Sequence, residues 1–501
     1  MKSLKIFSKF VKRTGDVMIQ SSFVSYRSPV FSVLSQDQVH EIHRSSLEIL
    51  EKAGYKILSR QARNLLKKAG ARVDGPLVKT PRHIVDECIH LAPKGFVLFD
   101  REGKKALELE GRKSYYGTST ASPNTRDALT AEIHPTRVED ISRGALIADA
   151  LSNIDWVMPM GSSQDVPALA ADLYEFEAVV THTRKPIVFI AYSLRGHEIV
   201  YEMAAQVAGS MDRLRERPFL VAYPEPITPL VYPEDVADKL LYTAGLGMPV
   251  IGGPADQAGA TSPVTLAGTL VLMHAETLMG LVLSQLKRPG TPYVLGGVPT
   301  VIDMSTGNMC QAAPELSLMT AAYGDIARAL GFPTWGTAGT TDAKTLDEQA
   351  GIESAFSCLA HALGGVNLIH DVGYIDMGMI CSAEMLVMGD EIIGMVKRFV
   401  QGIEVNADTL ARDLIARVGP GGNFLQEDHT YRHFRREHWI PSLMARQTYD
   451  AWESEGSKTM GDRIREKIRR ILETHTVPPL PDPVLQELGR LKRTGEKESA
   501  R

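Results

Sequence analysis

A chain of 501 residues with 44% hydrophobic and 23% charged side chains has the composition of an ordinary globular protein. Its formal net charge of -5 argues against the basic face that nucleic-acid binding requires, so no nucleic-acid partner is expected. The four cysteines, Cys88, Cys310, Cys358 and Cys381, lack CxxC spacing and read as reduced, mostly buried thiols of a cytoplasmic protein.

Residues 1–34 read as an N-terminal arm. The opening "MKSLKIFSKFVKRTG" is basic, but Lys and Ser interrupt it, so it lacks the apolar centre of a secretory signal. Residues 35–112 read as a small α+β region. Apolar residues recur at helical spacing through "LSQDQVHEIHRSSLEILEKAG", and Gly54 ends the run. "TPRHIVDECIHLAP" offers Thr80 as a helix cap and Pro81 in the first turn. "GFVLFDREGKKALELEGRKSYYG" alternates like a hairpin.

Residues 113–380 have a steady rhythm of short apolar strand, small or polar turn, then helix. The strand-like segments are "SYYGTST", "DWVMPMGSS", "PIVFIAYS", "PFLVAYPEP", "MPVIGGPA", "TPYVLGGVP", "PTWGTAGTT" and "VNLIHDVGY". About eight such units close a parallel barrel. The expected fold is therefore α/β, a TIM (β/α)8 barrel with the small N-terminal α+β region and a helical C-terminal extension over residues 381–501. Thr136 and Glu139 suggest a capping box, and "PEDVADKLLYTAGLG" opens on acids and closes on Gly. The longest apolar stretch, "LAGTLVLMHAETLMGLVLSQL", contains His274 and Glu276 and reads as a buried helix. No run is expected to reach the length of a membrane span. "DRIREKIRRILETH" reads as a charged amphipathic helix stopped by "VPPLPDP", and the final "KRTGEKESAR" is expected to fray.

Parallel barrels place their active sites at the C-terminal ends of the strands. That rule selects a mouth rich in aromatics and carboxylates and without Arg. The candidate catalytic residues are Asp342, Glu225 and His370; the candidate substrate contacts are Tyr116, Tyr192, Tyr223, Trp335, Lys344 and Tyr374. Gly253, Gly297 and Gly339 are candidates for close approach of a cofactor, although a tight turn explains a glycine pair equally well. An acidic, aromatic mouth suits a methylated ammonium, because cation–π attraction needs no hydrogen-bond donor on the ligand. The same rings could instead be barrel plugs. Lys344 could form a Schiff base, as a lyase would require, or be a salt-bridged surface lysine. Cys310, Cys358 and Cys381 with His274, His361 and His370 are too irregularly spaced to expect a zinc site.

"GTAGTTDAKTLDEQA", "GATSPVTLAGTLVLMHAETL", "NLIHDVGY" and "IHRSSLEILEKAG" together resemble the trimethylamine:corrinoid methyltransferase superfamily, across residues 35–480. The resemblance implies a TIM barrel that moves a methyl group from a methylated amine to the cobalt of a separate corrinoid protein. It implies no tightly bound cofactor, the corrinoid (cobalamin) being carried by that partner. The founding members carry pyrrolysine, whereas this chain has only standard residues, as in the branch resembling glycine betaine methyltransferase. The place of the special residue is expected in the loop around Lys344. A quaternary amine fits this departure: it already has a neutral amine leaving group and needs no general acid, so positioning and electrostatics suffice. For a betaine carboxylate, His370, Lys344 and the N–H groups near Gly339 are the candidate partners. A Schiff-base or metal-dependent lyase and a non-catalytic methylated-amine binder are the competing readings. A homo-oligomer built through the C-terminal helices is expected.

Overall fold

The computed structural model describes residues 21–24 and 28–499, so most of the expected N-terminal arm lies outside the described residues. Its centre is a ring of short parallel strands: β1 (Tyr115–Thr118), β2 (156–157), β3 (Ile187–Phe189), β4 (Leu220–Ala222), β5 (Val250–Gly252), β6 (Tyr293–Gly296), β7 (Thr334–Thr337) and β8 (Leu368–Val372). Seven of them form one sheet in the order β1-β8-β7-β6-β5-β4-β3. Trp156 bridges in parallel to Gly117 of β1 and Val157 to Ile187 of β3, so β2 closes the ring. Every strand segment read from the sequence contributes one stave of this barrel.

Strand pleating sends alternate residues inward. Val188, Val221, Ile251 and Val294 pack in one interior cluster with Tyr115, Trp156, Trp335 and Leu368. The hairpin formed by Phe96–Phe99 and Lys105–Leu109 closes the N-terminal end. Its Leu98, Leu107 and Leu109 join the same interior cluster. Tyr115, at the start of β1, accepts a hydrogen bond from Glu108 N at 3.2 Å, which ties the hairpin to the barrel floor.

The helix Leu266–Lys287 corrects one expectation: its 22 residues are long and apolar enough to cross a membrane. It is nevertheless a core element, packed between the barrel and the N-terminal region. Ser46 donates to Val271 O at 2.8 Å, His274 Nδ1 lies 2.9 Å from Tyr323 Oη, and Glu276 accepts from Leu230 N at 2.6 Å. A lipid-facing helix has no such partners for a histidine and a carboxylate.

Two helix starts fall one residue later than the spacing suggests. The first, Arg82–Leu91, is capped at Pro81, and Thr80 Oγ1 is left without a partner. The other, Val138–Ala150, begins after Arg137, whose N–H binds Asp140 at 2.9 Å. Thr136 Oγ1 is engaged elsewhere, 2.9 Å from Thr125 Oγ1.

The end of the described chain also differs from expectation. "KRTGEKES" does not fray but continues the helix Asp482–Ser499. Gly495 lets that helix approach the barrel layer so closely that a Cβ there would lie 2.3 Å from Leu173 Cδ1. Arg195 binds Glu498 at 2.7 Å and fixes the last turn. Between the helices Ala383–Val400 and Met460–Thr474 the chain changes character: no residue from 401 to 442 is buried.

Candidate active site

Four aromatic rings fill the upper barrel. Trp335 points inward from β7 and stacks on His370 of β8, with ring centroids 4.1 Å apart and planes 21° from parallel. Trp156 lies 5.4 Å from Trp335 and Tyr223 lies 5.0 Å away on the other side. Such tilted and stacked contacts add to simple area burial. The rings fit because their neighbours are glycines. A Cβ on Gly117 would lie 2.3 Å from the Trp156 ring, and one on Gly253 would lie 3.0 Å from both Trp335 and Tyr223. The glycine pairs therefore divide by pleat. Gly253 faces the rings, whereas Gly297 faces outward, where a Cβ would lie 2.5 Å from Met273 Sδ.

The polar groups of the floor are only partly satisfied. Tyr223 Oη donates to Gly253 O at 2.9 Å. His370 Nε2 lies 2.7 Å from Thr337 Oγ1. His370 Nδ1 is 2.8 Å from Asp371 Oδ1, yet the two are not aligned for a hydrogen bond. Trp335 Nε1 is buried without a partner.

Carboxyls stand at the strand ends above this floor. Glu225 lies two residues beyond Tyr223, at the exit of β4, and among the described residues no hydrogen bond or ion pair holds it. It keeps some open area yet is surrounded by protein, and that desolvation, with the nearby charge of Asp371, raises its pKa to about 7. Asp371 has a left-handed backbone, φ 79°, which is uncommon outside glycine and is found where a site demands it. Asp256 is fully buried and neither carboxyl oxygen has a partner. Burial, then Glu276 and Glu225, push its pKa well above the usual carboxylate range. Burial also raises Glu276 to about 7. Among the described residues, the charge acting on Glu225 is another carboxylate, and carboxylates alone act on Asp256. A buried acidic cluster of this kind costs folding free energy unless a cation joins it.

The other candidates are distributed around this centre. Tyr374 is buried beyond β8, and its hydroxyl accepts from Thr120 N at 3.0 Å. Burial and the charges of Asp371 and Glu225 both raise its pKa, which places its ring beside the acidic rim. Tyr116 points outward into the helix layer and donates to Cys358 O at 2.9 Å, so the structure does not bring it to the mouth. Tyr192 lies at the rim, 2.8 Å from Ser162 Oγ and donating to Glu175 at 3.0 Å. Asp342 accepts from Gln311 N at 3.0 Å and Ala312 N at 3.2 Å, and so braces the neighbouring loop. Lys344 turns to solvent, with 64% of its side chain exposed, donates to Asp342 O and pairs with Asp376 at 3.2 Å. Gly339 has φ 76°, and its N–H donates to Ser357 Oγ at 3.1 Å. Asp342, Lys344 and the Gly339 N–H therefore hold the β7 loop in shape and do not enter the ring-and-carboxyl cluster. Trp156 and Glu276 belong to that cluster and are absent from the candidates read from the strand ends. Tryptophan in "DWVMP" was the available signal for the first; for Glu276 the signal was a carboxylate inside the longest apolar stretch, which strand ends do not select.

A closed parallel barrel with an aromatic interior and an acid-rich C-terminal mouth defines a protein of the (β/α)8 class. The chain belongs to a specific family of that class: residues 9–497 match the family described as trimethylamine methyltransferase (MTTB). It is 32% identical to the trimethylamine methyltransferase MttB of Desulfitobacterium hafniense strain DCB-2, over 96% of this chain and 97% of that protein. It is 33% identical to a glycine betaine methyltransferase of Desulfitobacterium hafniense strain Y51, over 91% of this chain and 95% of that protein. The crystal structure of the Methanosarcina barkeri monomethylamine methyltransferase superposes with a TM-score of 0.53 at 12% identity, covering 94% of this chain and 92% of that one, and so shares the fold.

Proposed function

We propose that this protein transfers a methyl group from a quaternary methylated amine, such as a betaine, to the reduced cobalt of a corrinoid carried by a partner protein. The observation that carries this reading is the pair Glu225 and Asp371. The Asp371 charge acts on Glu225, and among the described residues no cation balances Glu225, above a floor of stacked aromatic rings. A quaternary ammonium satisfies both halves of such a site: carboxylates offset its charge, and ring faces accept its methyl groups without hydrogen bonds. Membership of the family supports methylated-amine chemistry, and the resemblance to glycine betaine methyltransferase supports the quaternary form.

The chain's own residues do three things in this reading. Glu225 and Asp371 hold the ammonium; the Trp335, His370 and Tyr223 rings set its depth; and the protein around the mouth removes water from the reacting carbon. The corrinoid partner supplies a cobalt(I) nucleophile. The carbon–nitrogen bond breaks, its electron pair goes to nitrogen, and a neutral tertiary amine leaves, so no side chain needs to donate a proton. His370 and Asp371 therefore act as positioning and charge-balancing groups. The Schiff-base form of the lyase reading loses its support, because Lys344 is solvent-exposed and ion-paired.

The test is anaerobic mixing of the protein with a cobalt(I) corrinoid protein and a panel of glycine betaine, proline betaine, carnitine, choline and trimethylamine, followed by cobalt absorbance. Methylation is expected with at least one quaternary amine and weaker or absent with trimethylamine. No methylation with any quaternary amine overturns the proposal.

A further inference from the structure

The stretch 401–442 has no buried residue, although it contains the two helices Arg412–Val418 and Asp428–Glu437. A segment of this size without a core of its own ordinarily needs a staple: a disulfide, a metal or a partner surface. It contains no cysteine. It does contain a cluster of metal-ligating groups. His429 and His433 sit one turn apart on one face of the helix Asp428–Glu437, with ring centroids 4.3 Å apart. Both turn toward Asp408, on the loop preceding the helix Arg412–Val418. Their ligand atoms and the Asp408 carboxylate all lie within 4.8 Å of one another.

The geometry points to a transition-metal site: we propose that Asp408, His429 and His433 bind one zinc-class divalent ion that clamps the 401–442 segment together. His433 Nε2 is buried and 3.1 Å from Asp408 Oδ2, yet the two are not aligned as a hydrogen bond. Ligand atoms around a tetrahedral zinc stand roughly 3.3 Å apart, given metal–ligand distances of about 2.0–2.2 Å. The observed separation therefore fits two atoms facing a shared ion. His429 Nε2 is 3.3 Å from the Asp408 carbonyl oxygen, on the same side of the loop.

The loop holds Asp408 in place before any ion arrives. Asn406 Oδ1 accepts from the N–H groups of Asp408 and Thr409, both at 2.9 Å, and Thr409 Oγ1 donates to Glu404 O at 2.9 Å. Two arginines of the segment are already paired, Arg417 with Glu427 at 2.7 Å and Arg436 with Glu404. Two imidazoles and one carboxylate match zinc, cobalt(II) or nickel(II) better than calcium or magnesium, which prefer all-oxygen sites. Three protein ligands leave one position for water. The cluster sits outside the barrel mouth and shares no residue with it.

The test uses the full-length chain without an affinity tag, stripped with a chelator and titrated with cobalt(II). Tetrahedral cobalt(II) bands should saturate at one ion per chain, and zinc should bleach them. His433→Gln and Asp408→Asn should each abolish the bands while leaving the far-UV dichroism unchanged. Cys310→Ser, which removes the partly exposed thiol, should leave the bands intact. Zinc should also slow proteolysis within 401–442 in the original chain and not in His433→Gln. Absence of saturable binding, bands that survive both ligand substitutions, or bands lost with Cys310→Ser overturn the site. Proteolysis that zinc leaves unchanged overturns the clamp. A segment protected only as protein concentration rises would assign the staple to a second copy of the chain instead.

Discussion

The two ends of the barrel are built from the same staves and behave oppositely. At the N-terminal end the hairpin drives Leu98, Leu107 and Leu109 into the interior, and the Tyr115 hydroxyl is satisfied by a backbone N–H. At the C-terminal end Trp335 Nε1, both Asp256 oxygens, His370 Nδ1 and Asp371 Oδ1 are buried without hydrogen-bond partners. Buried polar atoms are normally paired; Ser114 Oγ is an unpaired hydroxyl at the lower end, whereas the upper end leaves two carboxyl side chains, an indole and an imidazole unpaired, groups that cost more to bury. The lower end holds the barrel shut, and the upper end is where we propose that a positive charge binds.

The largest expected effect comes from removing that charge complement. Glu225→Gln should weaken quaternary-ammonium binding at least ~30-fold, since truncating one side of a buried charge pair costs about 2–5 kcal/mol. Isothermal titration checks this, and equal affinity would break the contrast between the two ends. The same variant should raise the melting temperature of the ligand-free protein above pH 7. There Glu225 is ionised in both folded and unfolded chains, and burial penalises the ionised form. Below the unfolded value the carboxyl is protonated in both states and the difference should vanish.

Leu107→Ala tests the opposite end. It should lower stability by about 2–5 kcal/mol, read by urea unfolding, while leaving the ranking of amine substrates unchanged. A change in substrate ranking would mean that the two ends are coupled.

A smaller effect concerns pH. Because Glu225 titrates at about 7 and binds a cation only when ionised, affinity should rise with pH through that value. Asp371→Asn removes the charge that helps to raise Glu225, and asparagine tolerates the left-handed backbone at that position. The midpoint of the affinity profile should therefore move to lower pH. A profile that stays in place would remove Asp371 from the account. The smallest expected effect is that of Lys344→Ala, less than about 0.5 kcal/mol in stability and no loss of ammonium affinity, because this lysine is an exposed, ion-paired side chain.

The barrel was legible because each stave is a short apolar run punctuated by Gly, Pro or a polar turn, and the count closes a ring. The strand β2 shows the limit: it is reduced to Trp156 and Val157, and its tryptophan was not among the candidates although it helps to form the floor. Tyr223, Glu225, Trp335, His370 and Tyr374 were legible because strand ends select them. Which glycine of each pair faces the rings was not legible, since that depends on pleat parity within strands only three or four residues long. The opposition of Glu225 and Asp371 was hidden for a different reason. It joins β4 to β8 across the barrel, and no local pattern records a contact made by closure. The loop around Lys344 was expected to hold the place of the special residue, yet its Asp342 and Lys344 bind their own neighbours.

The central claim is that the mouth selects a quaternary ammonium by its charge. The most direct measurement compares choline with its neutral tert-butyl isostere by isothermal titration at pH 8, where Glu225 is ionised. The two ligands have nearly the same shape, so shape alone cannot separate them. The account predicts that choline binds at least ~30-fold more tightly, and that Glu225→Gln sharply reduces the difference, Asp371 and the rings supplying what remains. Equal affinity for the two ligands would contradict it.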